Sequence, residues 1–201
     1  MALITIEGID GAGKSTLAGA LAGALPGAVL LREPGGVALA ERVRGVVKDP
    51  GLRVGARAEA LLYAAARAQL VEEALAPLLA RGATVVLDRF VDSSLAYQGA
   101  GRALGIEAVR AINDFATGGL RPDRTLLLRL DPALARERTG ARGEAVDRLE
   151  AEGDDFFATI ARAYDELAAA DPARWVVLDA RRAPGELLDD ALRALGVRSS
   201  S

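Results

Sequence analysis

The sequence contains no cysteine and no histidine among its 201 residues. Without them the chain cannot build a Cys/His zinc site, a thiol nucleophile or a catalytic triad that depends on imidazole. Lysine is also scarce, since Lys14 and Lys48 are the two lysines and the other 23 of the 25 basic residues are arginines. Any chemistry must therefore rest on carboxylates, hydroxyls, backbone amides, arginine and these two lysines.

Several other classes of protein are disfavoured by composition. The formal net charge is −3 and the isoelectric point is near 5.2, whereas nucleic-acid binding usually needs a basic face. No apolar run approaches the roughly 18–20 residues of a membrane span, and no basic segment precedes an apolar leader. We therefore expect a cytoplasmic protein that binds neither nucleic acid nor membrane.

Apolar strands alternate with helical segments along the chain, and 51% of the residues are hydrophobic. The pattern predicts strands at 2–7, 28–31, 84–87, 124–130 and 174–178. Such alternation is typical of an α/β fold, here a five-stranded parallel sheet with helices on both faces. We expect a single domain over 1–201. The segment 57–81 reads as a long buried helix kinked at Pro77, and the Arg/Gly-rich stretch at about 136–148 reads as a short surface lid.

The segment Gly8–Ser15 matches the phosphate-binding pattern G-x-x-x-x-G-K-[ST] between a strand and a helix. In such a P-loop, backbone N–H groups and the helix N-terminus surround phosphate oxygens. Lys14 is predicted to bridge the β- and γ-phosphates of ATP, and the Ser15 hydroxyl to coordinate Mg²⁺. The predicted ATP-binding residues are Gly8, Ile9, Asp10, Gly11, Ala12, Gly13, Lys14, Ser15 and Thr16.

The remaining sequence favours a small-molecule kinase over a switch or a motor. The guanine-specificity pattern Asn-Lys-x-Asp is absent, since Asn113 is followed by Asp-Phe, and the chain is short for a motor ATPase. Asp88 ends the third predicted strand beside the P-loop, where it can join the Mg²⁺ shell. The adjacent Arg89 can bind two phosphate oxygens. The alternative for this dipeptide is a surface ion pair.

Taken together, these motifs resemble the thymidylate kinase family over nearly the whole chain. The resemblance lies in Ile6–Thr16, Arg-Glu-Pro-Gly-Gly at 32–36, Leu-Leu-Tyr-Ala-Ala-Ala-Arg at 61–67, Asp-Arg-Phe at 88–90, Ser-Ser-Leu-Ala-Tyr-Gln-Gly at 93–99, Pro-Asp at 122–123, Arg-Gly-Glu at 142–144 and Asp-Arg-Leu-Glu at 147–150. It implies a P-loop fold and Mg²⁺-dependent transfer of the γ-phosphoryl group of ATP to dTMP, giving dTDP. It also implies a homodimer formed through the long helices.

The resemblance implies roles for individual residues. Asp10 would contact the sugar 3′-hydroxyl and help organise Mg²⁺, and Arg89 would bind the dTMP phosphate. Tyr63 would stack on thymine and Arg67 would reach its O4; their i, i+4 spacing puts both on one helix face. The other implied substrate-site residues are Glu33 and Pro34, Ser94 at the base edge, Tyr97 beneath the deoxyribose, and Gln98. The structural alternatives are a core position for Tyr63 and Tyr97, a surface position for Arg67, a helix cap for Ser94 and a local turn cap for Asp10.

One departure concerns the catalytic arginine. Some family members carry arginine inside the P-loop, where this chain has Gly11. The transferring group still needs its charge neutralised, so the lid arginines Arg136, Arg138, Arg142 and Arg148 are candidates, and we select Arg142. Arg182 is expected beside adenine, the alternative being a surface pair with Asp179. No general base is expected, because the acceptor phosphate oxygen is already ionised.

Two other functions stay open on the sequence. The chain could be another P-loop kinase, acting on deoxynucleosides or other nucleoside monophosphates, or a non-catalytic nucleotide-binding switch. A nucleoside acceptor would leave Arg89 without a phosphate to bind.

Overall fold

The computed structural model describes residues 2–141 and 147–197, and its centre is one parallel sheet. Five strands pair in the order β2-β3-β1-β4-β5. They are β1 Ala2–Glu7, β2 Val29–Arg32, β3 Thr84–Asp88, β4 Arg124–Arg129 and β5 Trp175–Asp179. All four pairings are parallel, so the predicted α/β sheet is confirmed.

Helices join consecutive strands, and one more follows β5. They are α1 Lys14–Ala24, α2 Ala38–Lys48, α3 Ala56–Leu70, α4 Ala76–Ala80, α5 Val91–Ser94, α6 Ile106–Thr117, α7 Pro132–Gly140, α8 Asp154–Ala170 and α9 Pro184–Ala194. Across the described residues, none of them combines the length and apolar content that a bilayer-crossing helix needs.

The three central strands, β1, β3 and β4, are mostly buried, and their side chains alternate between the two faces of the sheet. On one face, Ile4 and Ile6 pack in a core that includes Leu21 of α1. On the other, Leu3 and Val85 pack in a separate core with the residues that end α3. Helices therefore cover both faces, as the sequence predicted.

The predicted long helix is present but differs in two respects. A π-helical turn, Val71–Leu75, connects α3 to α4 where we expected a kink at Pro77. Proline lacks an N–H and crowds the carbonyl four residues earlier, here Glu73, so a wider turn just before it relieves both problems. The helix is also less buried than expected, since Leu61 is 56% exposed.

Two helical segments were not predicted. The first half of the expected lid is regular helix, because α7 runs to Gly140 and the side chain of Asp131 caps its start by accepting from the Ala133 amide at 2.9 Å. A second segment begins with α5 and continues through a π-helical stretch, Leu95–Gly101, that carries Tyr97 and Gln98. The predicted lid residues 142–146 lie outside the described residues.

Candidate active site

A cavity of about 600 Å³ opens at the carboxyl ends of the strands. Strand β1 lies between β3 and β4, so the connections after β1 and β3 leave in different directions and open a crevice at this edge. The P-loop, the end of β3, α3 and the π-helical stretch after α5 all contribute lining residues.

The P-loop has a conformation that glycine permits. Gly8 has a φ of 140°, and a Cβ there would lie 2.7 Å from the Leu128 carbonyl oxygen, so a side chain is excluded. Lys14 is buried at the start of α1, and its Nζ donates to the Ile9 carbonyl oxygen at 2.7 Å. Burial and the nearby Arg89 lower the pKa of Lys14 to about 8, against the opposing effect of Asp10. The loop therefore holds a cation at the helix N-terminus.

The residues predicted to bind magnesium lie together. The Ser15 hydroxyl donates to Asp88 Oδ2 at 2.6 Å, while Asp88 Oδ1 is buried and has no hydrogen-bond partner among the described residues. Hydroxyl and carboxylate oxygens are the ligands that Mg²⁺ prefers. No group of three or more acidic ligands gathers anywhere in residues 2–141 and 147–197. The site thus suits an ion held mainly by water and substrate phosphates.

Arg89 and Asp10 form an ion pair at the centre of the cavity. Arg89 Nη2 lies 2.5 Å from Asp10 Oδ1, and the Tyr97 hydroxyl donates to Asp10 Oδ2 at 2.9 Å. Burial alone would raise the pKa of Asp10, but the charges of Arg89 and Lys14 outweigh it and hold this pKa well below the usual range. Arg89 also stacks over the Tyr97 ring, 5.1 Å from its centroid.

Arg67 is fully buried and donates four hydrogen bonds. Its Nε and Nη2 bind Glu33 Oε2 at 2.8 and 2.6 Å. The remaining donors reach Ser94 Oγ at 2.9 Å, the Phe90 carbonyl oxygen at 2.9 Å and Asn113 Oδ1. A guanidinium has five N–H groups, and four of them donate these hydrogen bonds, while Nη2 also forms an ion pair with Glu33. The surface position considered for Arg67 is therefore wrong.

Tyr63, Pro34, Ser94 and Gln98 also line the cavity. Tyr63 is half-buried on α3, one turn before Arg67. All nine predicted acceptor-site residues line this one cavity. They are Asp10, Glu33, Pro34, Tyr63, Arg67, Arg89, Ser94, Tyr97 and Gln98.

Glu59 was not predicted, although it underlies this wall of the cavity. It is fully buried, and its carboxylate accepts from Gln98 Nε2 at 2.8 Å. Arg102 and Arg148 also pair with it, at 3.2 and 2.6 Å. Glu59 thus ties α3 to the π-helical stretch and to Arg148 of the lid.

Glu59→Gln should lower the free energy of unfolding by about 3 kcal/mol, because two guanidinium groups would keep their burial and lose their shared counter-charge. Chemical denaturation measures this. The control is Glu107→Gln, which removes an exposed i, i+3 pair with Arg110 and should cost less than about 0.5 kcal/mol. Equal, small losses in both variants would contradict a stabilising role for the buried cluster.

The lid arginines within the described residues have different positions. Arg138 lines the cavity, and its Nη1 donates to the Ala180 carbonyl oxygen at 2.9 Å. Arg136 pairs with Asp154 at 2.7 Å, outside the cavity lining. Arg142, our choice for the catalytic arginine, lies outside the described residues.

Arg182 is not among the described residues that line the cavity. Its guanidinium pairs with Glu186 and Asp190 of α9. The proposed surface partner Asp179 is instead bound by Arg181, at 2.7 Å. The expected position of Arg182 beside adenine stays a prediction.

A second buried acid, Glu7, lies at the end of β1 directly before the P-loop. Its carboxyl accepts from the Phe90 amide at 2.8 Å and from the Ser93 hydroxyl at 2.5 Å. Burial, with a smaller contribution from Asp92, raises its pKa to about 7. The signal available in the sequence was a charged residue inside an otherwise apolar strand.

Comparison with known proteins agrees with this site. A family model described as thymidylate kinase matches residues 6–191. A thymidylate kinase of Deinococcus radiodurans is 47% identical over 199 residues, covering 97% of this chain and 96% of that protein. The chain belongs to the thymidylate kinase family. Another relative, the thymidylate kinase of Desulforudis audaxviator, is 49% identical over 90% of this chain and 84% of its own length.

A solved thymidylate kinase shares the fold. The crystal structure of the Ehrlichia chaffeensis enzyme superposes with a TM-score of 0.77 at 28% identity, covering 96% of this chain and 98% of that one. Membership in the thymidylate kinase family makes the chain a phosphotransferase of the P-loop class and confirms the resemblance noted from the motifs.

Proposed function

We propose that the chain transfers the γ-phosphoryl group of ATP to dTMP, with the acceptor lying between two arginines. The carrying observation is that Arg89 and Arg67 line one cavity with the P-loop lysine. Arg89 pairs with Asp10, and Asp10 also pairs with Lys14 at 3.8 Å. These two pairs place Arg89 close to the P-loop. An acceptor phosphate bound by Arg89 would therefore lie beside the γ-phosphate of ATP, as direct transfer requires.

The base would lie at the Arg67 end. Four N–H groups of Arg67 donate hydrogen bonds and Nη2 also pairs with Glu33, so we propose that thymine O4 shares an Arg67 donor or replaces one of these partners. Ser94 Oγ accepts from Arg67, which leaves the Ser94 hydroxyl hydrogen for a ligand, and we propose that it donates to the base edge. Tyr63 would stack on the ring. Tyr97, fixed by its bond to Asp10, would crowd a ribose 2′-hydroxyl.

Mg²⁺, when bound with ATP, would neutralise charge on the β- and γ-phosphates. We propose that Ser15 and Asp88 hold it, since Asp88 has a buried oxygen without a hydrogen-bond partner among the described residues. Both Asp10 oxygens are already bonded, to Arg89 and Tyr97, so Asp10 would act on the ion by orienting its surroundings.

A panel of acceptors tests the proposed reaction. ADP release from ATP and Mg²⁺ is measured with thymidine, dTMP, dUMP, dCMP, dGMP and UMP. We expect the highest kcat/KM with dTMP and little turnover of thymidine. Preference for a nucleoside would indicate a deoxynucleoside kinase, and no ADP release with any acceptor would indicate a nucleotide-binding switch.

Arg142→Ala should reduce kcat by about 10³-fold or more while leaving dTMP binding within about twofold, if Arg142 stabilises the transferring group. Single-turnover rates and equilibrium titration separate the two effects. The control is Arg136→Ala, since Arg136 pairs with Asp154 outside the cavity lining. Unchanged kcat in the Arg142 variant would remove this residue from the proposed mechanism.

We also propose a homodimer through α3 and α6. These helices pack together, with Arg67 bonded to Asn113, and expose Leu61 and Phe115, the latter 91% exposed. Exposed apolar side chains on adjacent helices are typical of an interface. Sedimentation should show a dimer that Leu61→Asp dissociates, whereas the control Leu134→Asp on α7 should not. A wild-type monomer at micromolar concentration would contradict the proposal.

A further inference from the structure

Arg89 holds a backbone conformation that side chains rarely adopt. Its φ is 69°, in the left-handed region. Such a conformation is strained outside glycine and persists where neighbouring contacts impose it. Here the backbone N–H groups on both sides of the strained Arg89 dihedral angles donate hydrogen bonds. The Arg89 N–H donates to the Ile6 carbonyl oxygen at 3.0 Å, and the Phe90 N–H donates to Glu7 Oε1 at 2.8 Å.

The same carboxyl reaches the Arg89 side chain through Ser93. Glu7 Oε2 accepts from the Ser93 hydroxyl at 2.5 Å. Ser93 Oγ in turn accepts from Arg89 Nη1 at 3.1 Å. Because a serine hydroxyl has one hydrogen, its bond to Glu7 turns its lone pairs toward the guanidinium. Glu7 thus acts on both the main chain and the guanidinium of Arg89.

Removing the Glu7 carboxyl from water costs free energy, and its hydrogen bonds must offset that cost. The residue is 0% exposed, and its pKa is raised to about 7 by the loss of water. The salt bridge of Arg89 is made with Asp10 instead. The third donor, the Tyr164 hydroxyl at 3.0 Å, approaches Glu7 from α8. An apolar residue at this strand position would avoid the desolvation penalty, so packing alone does not account for a carboxyl.

We propose that Glu7 is a positioning residue that fixes Arg89 for binding the acceptor phosphate. Glu7 acts through the Phe90 N–H on the main chain of Arg89 and through Ser93 on its guanidinium. The geometry in which Arg89 binds the phosphate depends on these two contacts. This inference rests on the proposed function, in which Arg89 binds the phosphate of dTMP.

Glu7→Gln tests the inference through two ligands that differ only by the phosphate. The amide keeps the volume and one acceptor but cannot accept all three bonds. Calorimetric titration should show dTMP affinity reduced at least tenfold and thymidine affinity unchanged within twofold. The control, Tyr164→Phe, removes the bond from α8 but keeps the Phe90 and Ser93 contacts, so the ratio of dTMP to thymidine affinity should stay at the wild-type value.

A double-mutant cycle provides the second test. In an Arg89→Ala background, adding Glu7→Gln should reduce dTMP affinity no further, because the positioned group is gone. Equal losses for both ligands, no loss for either, or independent effects of the two substitutions would overturn the inference. If Glu7→Gln fails to fold, Ser93→Ala replaces it, with a smaller loss again confined to dTMP. A wild-type protein that binds dTMP no more tightly than thymidine would instead refute the proposed function.

Discussion

Replacing Arg89 by alanine should lower kcat/KM for dTMP by roughly 10³-fold. Two charge-assisted hydrogen bonds to a phosphate contribute about 4 kcal/mol together, and each 1.4 kcal/mol corresponds to about tenfold in rate. The substitution also leaves Asp10 without its closest cation, since the next is Lys14 at 3.8 Å. Steady-state kinetics with varied dTMP and saturating ATP measures the effect.

The matched control for Arg89 is Arg129→Ala. Arg129 forms an exposed pair with Asp165 at 2.7 Å and does not belong to the cavity lining found among the described residues. We expect its kcat/KM for dTMP to stay within twofold of wild type. If the two variants behave alike, the acceptor phosphate is bound elsewhere and the proposed orientation of the substrate is incorrect.

Lys14→Ala should reduce kcat by about 10³-fold and weaken ATP binding. The lysine is buried at the N-terminus of α1, where its charge can bridge the β- and γ-phosphates, and its loss removes a charge preorganised for the transition state. Initial rates at varied ATP give both parameters.

The chain provides its own control in its second lysine. Lys48 also lines the cavity, but its Nζ pairs with Asp147 of the lid at 2.6 Å. We expect Lys48→Ala to reduce kcat by less than tenfold. An equal loss in both variants would indicate a general effect of positive charge in the cavity, contrary to a specific role for the P-loop lysine.

The parts of the fold that sequence predicts are those governed by local signals. The apolar segment Ala2–Glu7 predicts a strand, and the motif Gly8–Ser15 that follows it predicts phosphate binding. The π-helical stretch Leu95–Gly101 has no such signal, because its two glycines disfavour helix and its helicity depends on packing against α6 and α8. Propensity was overridden there by tertiary contacts.

The site residues also divide into those that local signals predict and those that depend on tertiary contacts. Asp88 and Arg89 could be located because a strand end beside a P-loop faces the crevice. Glu59 could not, and the only sign of Glu7 was a charge in an apolar strand, because burial of an acid depends on donors that lie far along the chain, at 90 and 93 for Glu7 and at 98 and 148 for Glu59. The buried hydrogen bonds of Arg67 are likewise a tertiary property, since its partners come from three separate segments.

A crystal structure of the protein with dTMP tests the account most directly. The account predicts the phosphate within hydrogen-bond distance of the Arg89 guanidinium, with the thymine ring against Tyr63 and its edge at Ser94. A phosphate bound away from Arg89, or a base placed toward the P-loop, would contradict it.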